Sequence, residues 1–266
     1  MYKINEFAKM TGLSQSKVRF YEKNGLLHVH KDKNGYRYFT RWDAFRVNAF
    51  RTLKQYGFTV EQAVKMLDEK HSELQFINSL EERKEDLQKQ IEIMNHRMSK
   101  LDTVINYLKE GYSSNFEIME VEDHLYVLAS NGTDFSVSFK SEKILAQFVD
   151  LLSISSFARI IYKDDLLSEN ECINPSYAHA IPISKEYLLG KYDKTQVKKI
   201  HLGRCICYYR KATREKSENK ESFHDLFEFM EKNNYEICKD ILLLPTFLNL
   251  DGKGSDIEVL YVPIKK

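Results

Sequence analysis

Cysteine and proline are scarce in this chain. The four cysteines (Cys172, Cys205, Cys207 and Cys238) are too few for a disulfide framework in 266 residues, and none precedes position 172. All four prolines lie beyond residue 111, and neither proline nor glycine interrupts residues 71–110. No window approaches the roughly 18 consecutive apolar residues of a membrane span. The N-terminal MYKINEFAKM lacks the apolar core of a signal peptide, so the chain is expected in the cytoplasm, without a membrane partner. Enzyme motifs are missing too: there is no Gly-x-Ser-x-Gly elbow, no His-Glu-x-x-His and no phosphate loop. The spacing of Asp164-Asp165 and His179 carries no acid–base signal. No catalytic residue, no cofactor and no enzyme activity is therefore expected.

Net charge is also nearly absent. Forty basic and 39 acidic side chains leave +1, which taken whole argues against a nucleic-acid partner. The total hides an asymmetry. Residues 1–70 hold 14 Lys/Arg and 7 Asp/Glu; residues 71–110 hold 6 and 8; residues 111–266 hold 20 and 24. The first segment alone, at +7, carries a plausible phosphate footprint. The 42% hydrophobic and 30% charged content fits a globular chain, and the length suggests about two domains.

Residues 1–70 read as short helices around a hairpin. Ile4, Phe7 and Ala8 share one helical face. Thr11-Gly12-Leu13 makes a tight turn, and Ser14 is placed to cap a second helix from about Gln15 to Asn24, ended by Gly25. That helix turns Val18 inward with Tyr21 or Phe20, and leaves Ser16, Lys17 and Arg19 outward. Two helices around such a turn, the second polar and basic, describe a helix-turn-helix. Asn34-Gly35 then signals a hairpin within His28–Thr40, a basic wing with Lys33 and Arg37 at its tip; alternation points Tyr38 inward. Two more helices follow over 41–54 and 59–70, the latter capped by Thr59.

Residues 71–110 repeat apolar side chains every seven positions. Leu80, Leu87, Met94, Leu101 and Leu108 form one series; Ile77, Ile91, Met98 and Ile105 form the other, with Lys84 at the polar position. Two interleaved series predict a coiled-coil helix that pairs with a second copy. A long helix packed on its own domain is the alternative.

Residues 111–266 contain an internal repeat, with halves at about 116–190 and 197–266. A gap-free shift of 81 lays Ser141–Val149 on Ser222–Met230, Ile160-Ile161 on Ile241-Leu242, and Ile181-Pro182-Ile183 on Val262-Pro263-Ile264. Leu125–Ala129 is laid on Arg204–Tyr208, two positions short of that shift. Each half reads strand, helix, strand, strand, which predicts a pseudo-two-fold sheet of six or more strands with a helix pair on one face. The fold class is therefore α+β: winged helix-turn-helix, coiled-coil helix, and a doubled strand-helix-strand-strand domain.

Through Tyr2-Lys-Ile4, Phe7-Ala8, Thr11-Gly-Leu-Ser14, Val18-Arg-Phe-Tyr21, Gly25-Leu-Leu27, Asn34-Gly-Tyr-Arg-Tyr38 and Gly57-Phe58-Thr59, the first segment resembles the DNA-binding domain of the MerR family of transcription regulators. His28-Val29 stands where the family usually has a proline, and Phe39 and Phe45 replace a usual Tyr and Leu. The resemblance implies a homodimer through antiparallel long helices, binding to a pseudo-palindrome in double-stranded promoter DNA with a long spacer. It also implies that distortion of that spacer lets RNA polymerase engage both promoter elements. By position, Ser16, Lys17, Arg19 and Tyr21 belong to the recognition helix, and Tyr36 and Arg37 to the wing. Arg19, Tyr36 and Arg37 are expected on phosphates, and Ser16 and Lys17 at base edges. Val18 and Phe20 are expected in packing. The dimer interface is expected at Leu80, Leu87, Ile91, Met94, Met98, Leu101, Ile105 and Leu108.

The doubled unit and the closing Glu258-Val-Leu-Tyr-Val-Pro-Ile264 resemble the effector-binding domain of multidrug-sensing members of that family and of gyrase-inhibitory-type proteins. This implies a small-molecule effector, largely apolar or aromatic, cationic or not, in the cleft between the halves. Tyr162, Tyr208 and Tyr261 are the aromatic pocket candidates. Such domains commonly carry a buried carboxylate ahead of the last hairpin; here Ile241–Phe247 contains no acid, and Asp240 and Glu258 are the nearest. Glu258 against aromatics would suit a cation, although alternation puts it on the opposite face from Tyr261 unless the strand bulges. The alternative from another class is a metal- or redox-responsive repressor using Cys205-x-Cys207 with His201. Cysteine as a small buried hydrophobe is the simpler reading, and no metal site is expected.

Overall fold

The computed structural model describes residues 1–69, 72–110, 116–131, 136–137, 142–213, 216–247 and 254–265. Among them no helix is long and apolar enough to cross a membrane. The chain forms two compact units, Met1–Gln90 and Ile91–Lys266, divided inside one long helix.

In the first unit, α1 (Ile4–Thr11) ends at Gly12, whose φ of 64° is strained for any residue with a Cβ. Ser14 then caps α2 (Gln15–Lys23), its Oγ accepting from Lys17 N at 3.2 Å, as the sequence predicts. Strands β1 (Tyr2–Lys3), β2 (His30–Lys31) and β3 (Arg37–Phe39) form a small sheet in the order β1-β3-β2. The wing's turn is held by Asp32: its Oδ1 accepts from Asn34 N at 2.9 Å and Tyr36 N at 2.8 Å, with Gly35 at φ 79°. α3 (Arg41–Gln55) and α4 (Val60–Asp68) start at Thr40 and Thr59, each accepting from the backbone three residues on. The core is Phe7, Val18, Tyr21, Leu26, Phe39 and Phe50. Phe7 and Phe39 stack at 4.5 Å, and burial of each such side chain contributes roughly 1.5–3 kcal/mol.

The long helix α5 (Glu73–Glu110) opens on Ser72, whose Oγ and N bond Gln75. Its first turns are anchored within the first unit. Leu80 packs against the core just described, and Arg83 Nε donates to the Tyr56 carbonyl at 3.2 Å. Leu80, expected at the dimer interface, thus packs on the core of its own chain.

In the second unit, a ten-stranded sheet runs in the order β4-β10-β13-β12-β7-β8-β5-β6, with β9 added to β5 and β11 to β13. The strands are β4 (Phe116–Val121), β5 (His124–Asn131), β6 (Ser136–Val137), β7 (Ser156–Ile161), β8 (Ser176–Pro182), β9 (Lys198–Ile200), β10 (Gly203–Thr213), β11 (Glu236–Ile237), β12 (Ile241–Phe247) and β13 (Ser255–Lys265). α6 (Glu142–Asp150) and α7 (His224–Asn233) pack on the same face, burying Ile144 and Phe148, and Leu226 and Met230.

The repeat is real, but the pairing corrects its register. Leu125 pairs with Ile181 and Ile206 with Val262, so Leu125 corresponds to Ile206, not Arg204. On the axis between the halves Ile160 pairs with Leu242, and both lie on the face away from the helices. An antiparallel pair keeps its faces under a local two-fold only when paired residues correspond, which excludes a shift of 81 there and allows 82. The helices agree, since Ile144 and Phe148 match Leu226 and Met230. One residue is thus gained before the helix and lost before the last strand. Each half also has a leading strand, and these are exchanged: β4 pairs with β10 of the second half, and β9 with β5 of the first.

Candidate nucleic-acid interface and effector face

On α2 the side chains Ser16, Lys17, Arg19, Phe20 and Lys23 are exposed, while Val18 and Tyr21 are buried. Tyr21 belongs to the core, edge-on to Phe50 at 5.1 Å. It is set apart from the other expected DNA-contacting residues. Phe20, expected in packing, is 50% exposed in the middle of the polar surface. Four-residue spacing puts Ser16 and Phe20 on one stripe, a signal that helical periodicity carried but that did not decide between adjacent aromatics. Tyr36 at the wing is 63% exposed. Arg37 donates from Nε to Glu22 Oε2 at 2.9 Å, tying the wing to the last turn of α2. Tyr38 is only half-buried, with its hydroxyl 3.4 Å from Asp32 Oδ2, because Phe39 takes the inward position.

The part of α5 in the second unit has two sides. One faces its own domain: Ile93 joins the α6 cluster, Glu92 bonds Lys185 and Tyr187, and Lys100 Nζ donates to the carbonyls of Leu152 at 2.9 Å and Ser155 at 3.0 Å. Along the other side Ile91, Met94, Met98, Leu101, Ile105 and Leu108 are exposed. Leu87, one heptad step earlier, is 38% exposed. One side of the helix thus packs on its own domain, and the expected pairing residues lie exposed on the other.

The four expected ligand contacts are not brought together. Tyr208 and Glu258 face the helix-covered side, Tyr208 stacked at 4.5 Å on Phe116, which stacks in turn on Phe229 at 4.4 Å. Glu258 is 1% exposed and its carboxylate is fully engaged. Oε1 accepts from Arg159 at 2.9 Å, and Oε2 from Arg210 at 3.0 Å. Arg210 also donates to Ser222 Oγ and the Ser217 carbonyl and lies 4.3 Å over Phe223. Burial pulls its pKa down, and Glu258 opposes that pull.

Tyr261 lies on the opposite face, as alternation requires. Its ring centroid is 6.3 Å from that of His124 on β5. Four strand spacings separate β13 from β5, about 19 Å in a flat sheet, so the sheet curls and this face is concave. The β4–β5 and β9–β10 turns are bonded to each other at one end of the curl: Asp123 accepts from Lys199 Nζ, His201 Nδ1 and Leu202 N at 2.9–3.1 Å. The concave face also carries Tyr126, Ala158, Ile160, Cys205, Leu242 and Leu244. Tyr162 stands at the end of β7, its hydroxyl 2.8 Å from Ser176 Oγ. A cavity of about 380 Å³ has Tyr126, Ile160 and Ile200 in its wall and Lys163, Lys199 and Lys239 at its rim. Tyr126 and His124 went unrecognised in the sequence, although two-residue alternation with Leu125 and Val127 places them together.

Cys205 and Cys207 are buried on this face, and burial pushes their thiols up to about 12 and about 11. His201 bonds Asp123 instead of joining them. Among the described residues no cluster of three or more His, Cys, Asp or Glu could hold a metal ion.

Residues 2–70 match the family model of the MerR HTH family regulatory proteins. The HTH-type transcriptional regulator YyaN of Bacillus subtilis is 31% identical over 132 residues, 46% of this chain and 96% of that protein. The HTH-type transcriptional regulator ZntR of Escherichia coli K12 is 34% identical over 68 residues, 25% of this chain, so the chain spans about half (48%) of that relative's length. A cryo-EM structure of an EcmrR–DNA complex aligns over 100% of both chains, at 16% identity and a TM-score of 0.43.

Proposed function

The chain belongs to the MerR family of helix-turn-helix regulators, and from that premise we propose that it is a dimeric, ligand-responsive transcription regulator of the cytoplasm and nucleoid. The observation that carries the reading is the surface of α2: Ser16, Lys17, Arg19 and Phe20 stand outward together above a closed apolar core. A helix so presented fits the major groove of promoter DNA, with the exposed Tyr36 of the wing reaching phosphates beside it. The exposed stripe from Leu87 to Leu108 supports pairing with a second copy. Dimerisation presents two heads to a pseudo-palindrome, and distortion of the spacer between them gives RNA polymerase access to both promoter elements.

The effector site in this reading is the concave face, whose wall is aromatic and aliphatic. Tyr107 of α5, half-buried, acts electrostatically on the Tyr209 and Tyr261 hydroxyls of that face. That electrostatic link between the face and α5 supplies a route for coupling.

The test is titration of full-length protein onto its own promoter and onto random DNA. Arg19→Ala should weaken both about equally and lower the salt dependence by about one counterion. A change of base preference without a change in salt dependence would move Arg19 from phosphate to base, and intact binding after combined loss of Lys17, Arg19 and Tyr36 would remove α2 from the interface.

A further inference from the structure

Glu258, the carboxylate expected to receive a cation, is on the helix-covered face, with one oxygen on Arg159 and the other on Arg210. It offers nothing to a molecule on the concave face. That face is built from groups uncharged near neutral pH. Burial raises the Tyr126 hydroxyl to about 12, raises the Cys205 and Cys207 thiols, and pushes the His124 imidazole down. The acidic groups at the rim of the 380 Å³ cavity, Asp164 and Asp240, are matched by Lys163, Lys199 and Lys239, and Asp240 already accepts from Lys163 N at 2.9 Å. A cation leaving water for this cavity would lose hydration and find no buried counter-charge. A flat neutral molecule would meet the apolar surface of Tyr126 and Ile160 and could bond the Tyr126 hydroxyl.

We propose that the effector is an uncharged aromatic molecule bearing a hydroxyl or carbonyl oxygen, seated against Tyr126 and Ile160 in the cavity at the concave face. This rests on the reading of that face as the effector site. Three probes of one shape separate the charge states: 2-naphthol, 2-naphthoate and 2-naphthyl-trimethylammonium, titrated by fluorescence into full-length protein at neutral pH. The expected order puts naphthol first, ahead of the ammonium by about tenfold or more. Tyr126→Phe should weaken naphthol about fivefold and leave naphthalene unchanged, as the loss of one hydrogen bond requires.

Two blocking variants show where the probes sit. Ile160→Trp fills the cavity wall, and Lys239→Trp covers the exposed rim without touching the core. If both block binding but the ammonium or the carboxylate binds as tightly as naphthol, the site stands and the charge assignment is overturned. If no probe binds, or neither variant affects binding, the concave face is not the effector site and the proposal falls with it.

Discussion

The two faces of the effector sheet treat charge in opposite ways. The helix-covered face holds half-buried Arg159 and buried Arg210 and Glu258 beside the 216–223 segment, Glu258 bonded to both guanidinium groups and each of those to a serine. The concave face buries hydroxyls, thiols and an imidazole and leaves ammonium groups at its rim. The difference teaches that buried charge in this domain is spent on holding distant segments together: Glu258 is 99 residues from Arg159 and 48 from Arg210. The largest expected effect follows. Glu258→Gln leaves two guanidinium groups without a counter-ion and should destabilise the domain by about 3–5 kcal/mol, lowering the melting temperature by roughly 10 °C. The order of probe affinities should not change. A variant that melts normally but reverses the probe order would place Glu258 at the ligand and erase the contrast between the faces. Replacing all three charged residues with apolar ones of similar volume should recover much of the loss, because no ion is then left alone.

A smaller effect is expected on the neutral face. Cys205→Ser with Cys207→Ser exchanges two buried thiols for hydroxyls that have no partner prepared for them, at a cost of about 1–3 kcal/mol each. Calorimetry should show that loss, while transcription in vitro keeps its response to effector. A double variant that folds but no longer responds, together with DNA binding that depends on reductant or added metal, would replace the small-molecule reading with thiol control.

What was legible in the sequence follows the distance over which each contact acts. The reading head was clear because its signals are local: Ser14 and Thr59 cap helices three residues away, and Gly12 and Gly35 take positive φ where turns demand it. Even there, adjacent aromatics were exchanged. Phe20 and Tyr21 are one step apart on α2, and only the position of Phe50 shows that Tyr21 is the inward one. Arg37 looked free at a hairpin tip because Glu22, its partner, belongs to another element. The repeat was visible through its pattern, but a gap-free shift cannot register one residue gained and then lost, so Ile160 was laid on Ile241 and not Leu242. The exchange of leading strands was hidden for the same reason: β4 and β9 follow the pattern of their own halves but pair with the other.

The smallest expected effect concerns the bond that closes the concave face. Asp123 sits in the β4–β5 turn and receives Lys199, His201 and Leu202 from the β9–β10 side. Burial works against its charged form, but the hydrogen bonds from Lys199, Leu202 and His201 outweigh it, and the carboxyl is held down at about 2. A carboxyl with a depressed pKa stabilises the fold above its ordinary pKa of 3.8, and that contribution is lost as pH falls from there through about 2. Asp123→Asn should therefore lower the melting temperature slightly at neutral pH, and the gap to the unaltered protein should close over that acid window. A gap for Asp123→Asn that stays constant down to pH 2 would mean that the turn is held by shape and not by charge. The concave face would then owe nothing to ionisation even at its edge, and the contrast between the two faces would be sharper than drawn.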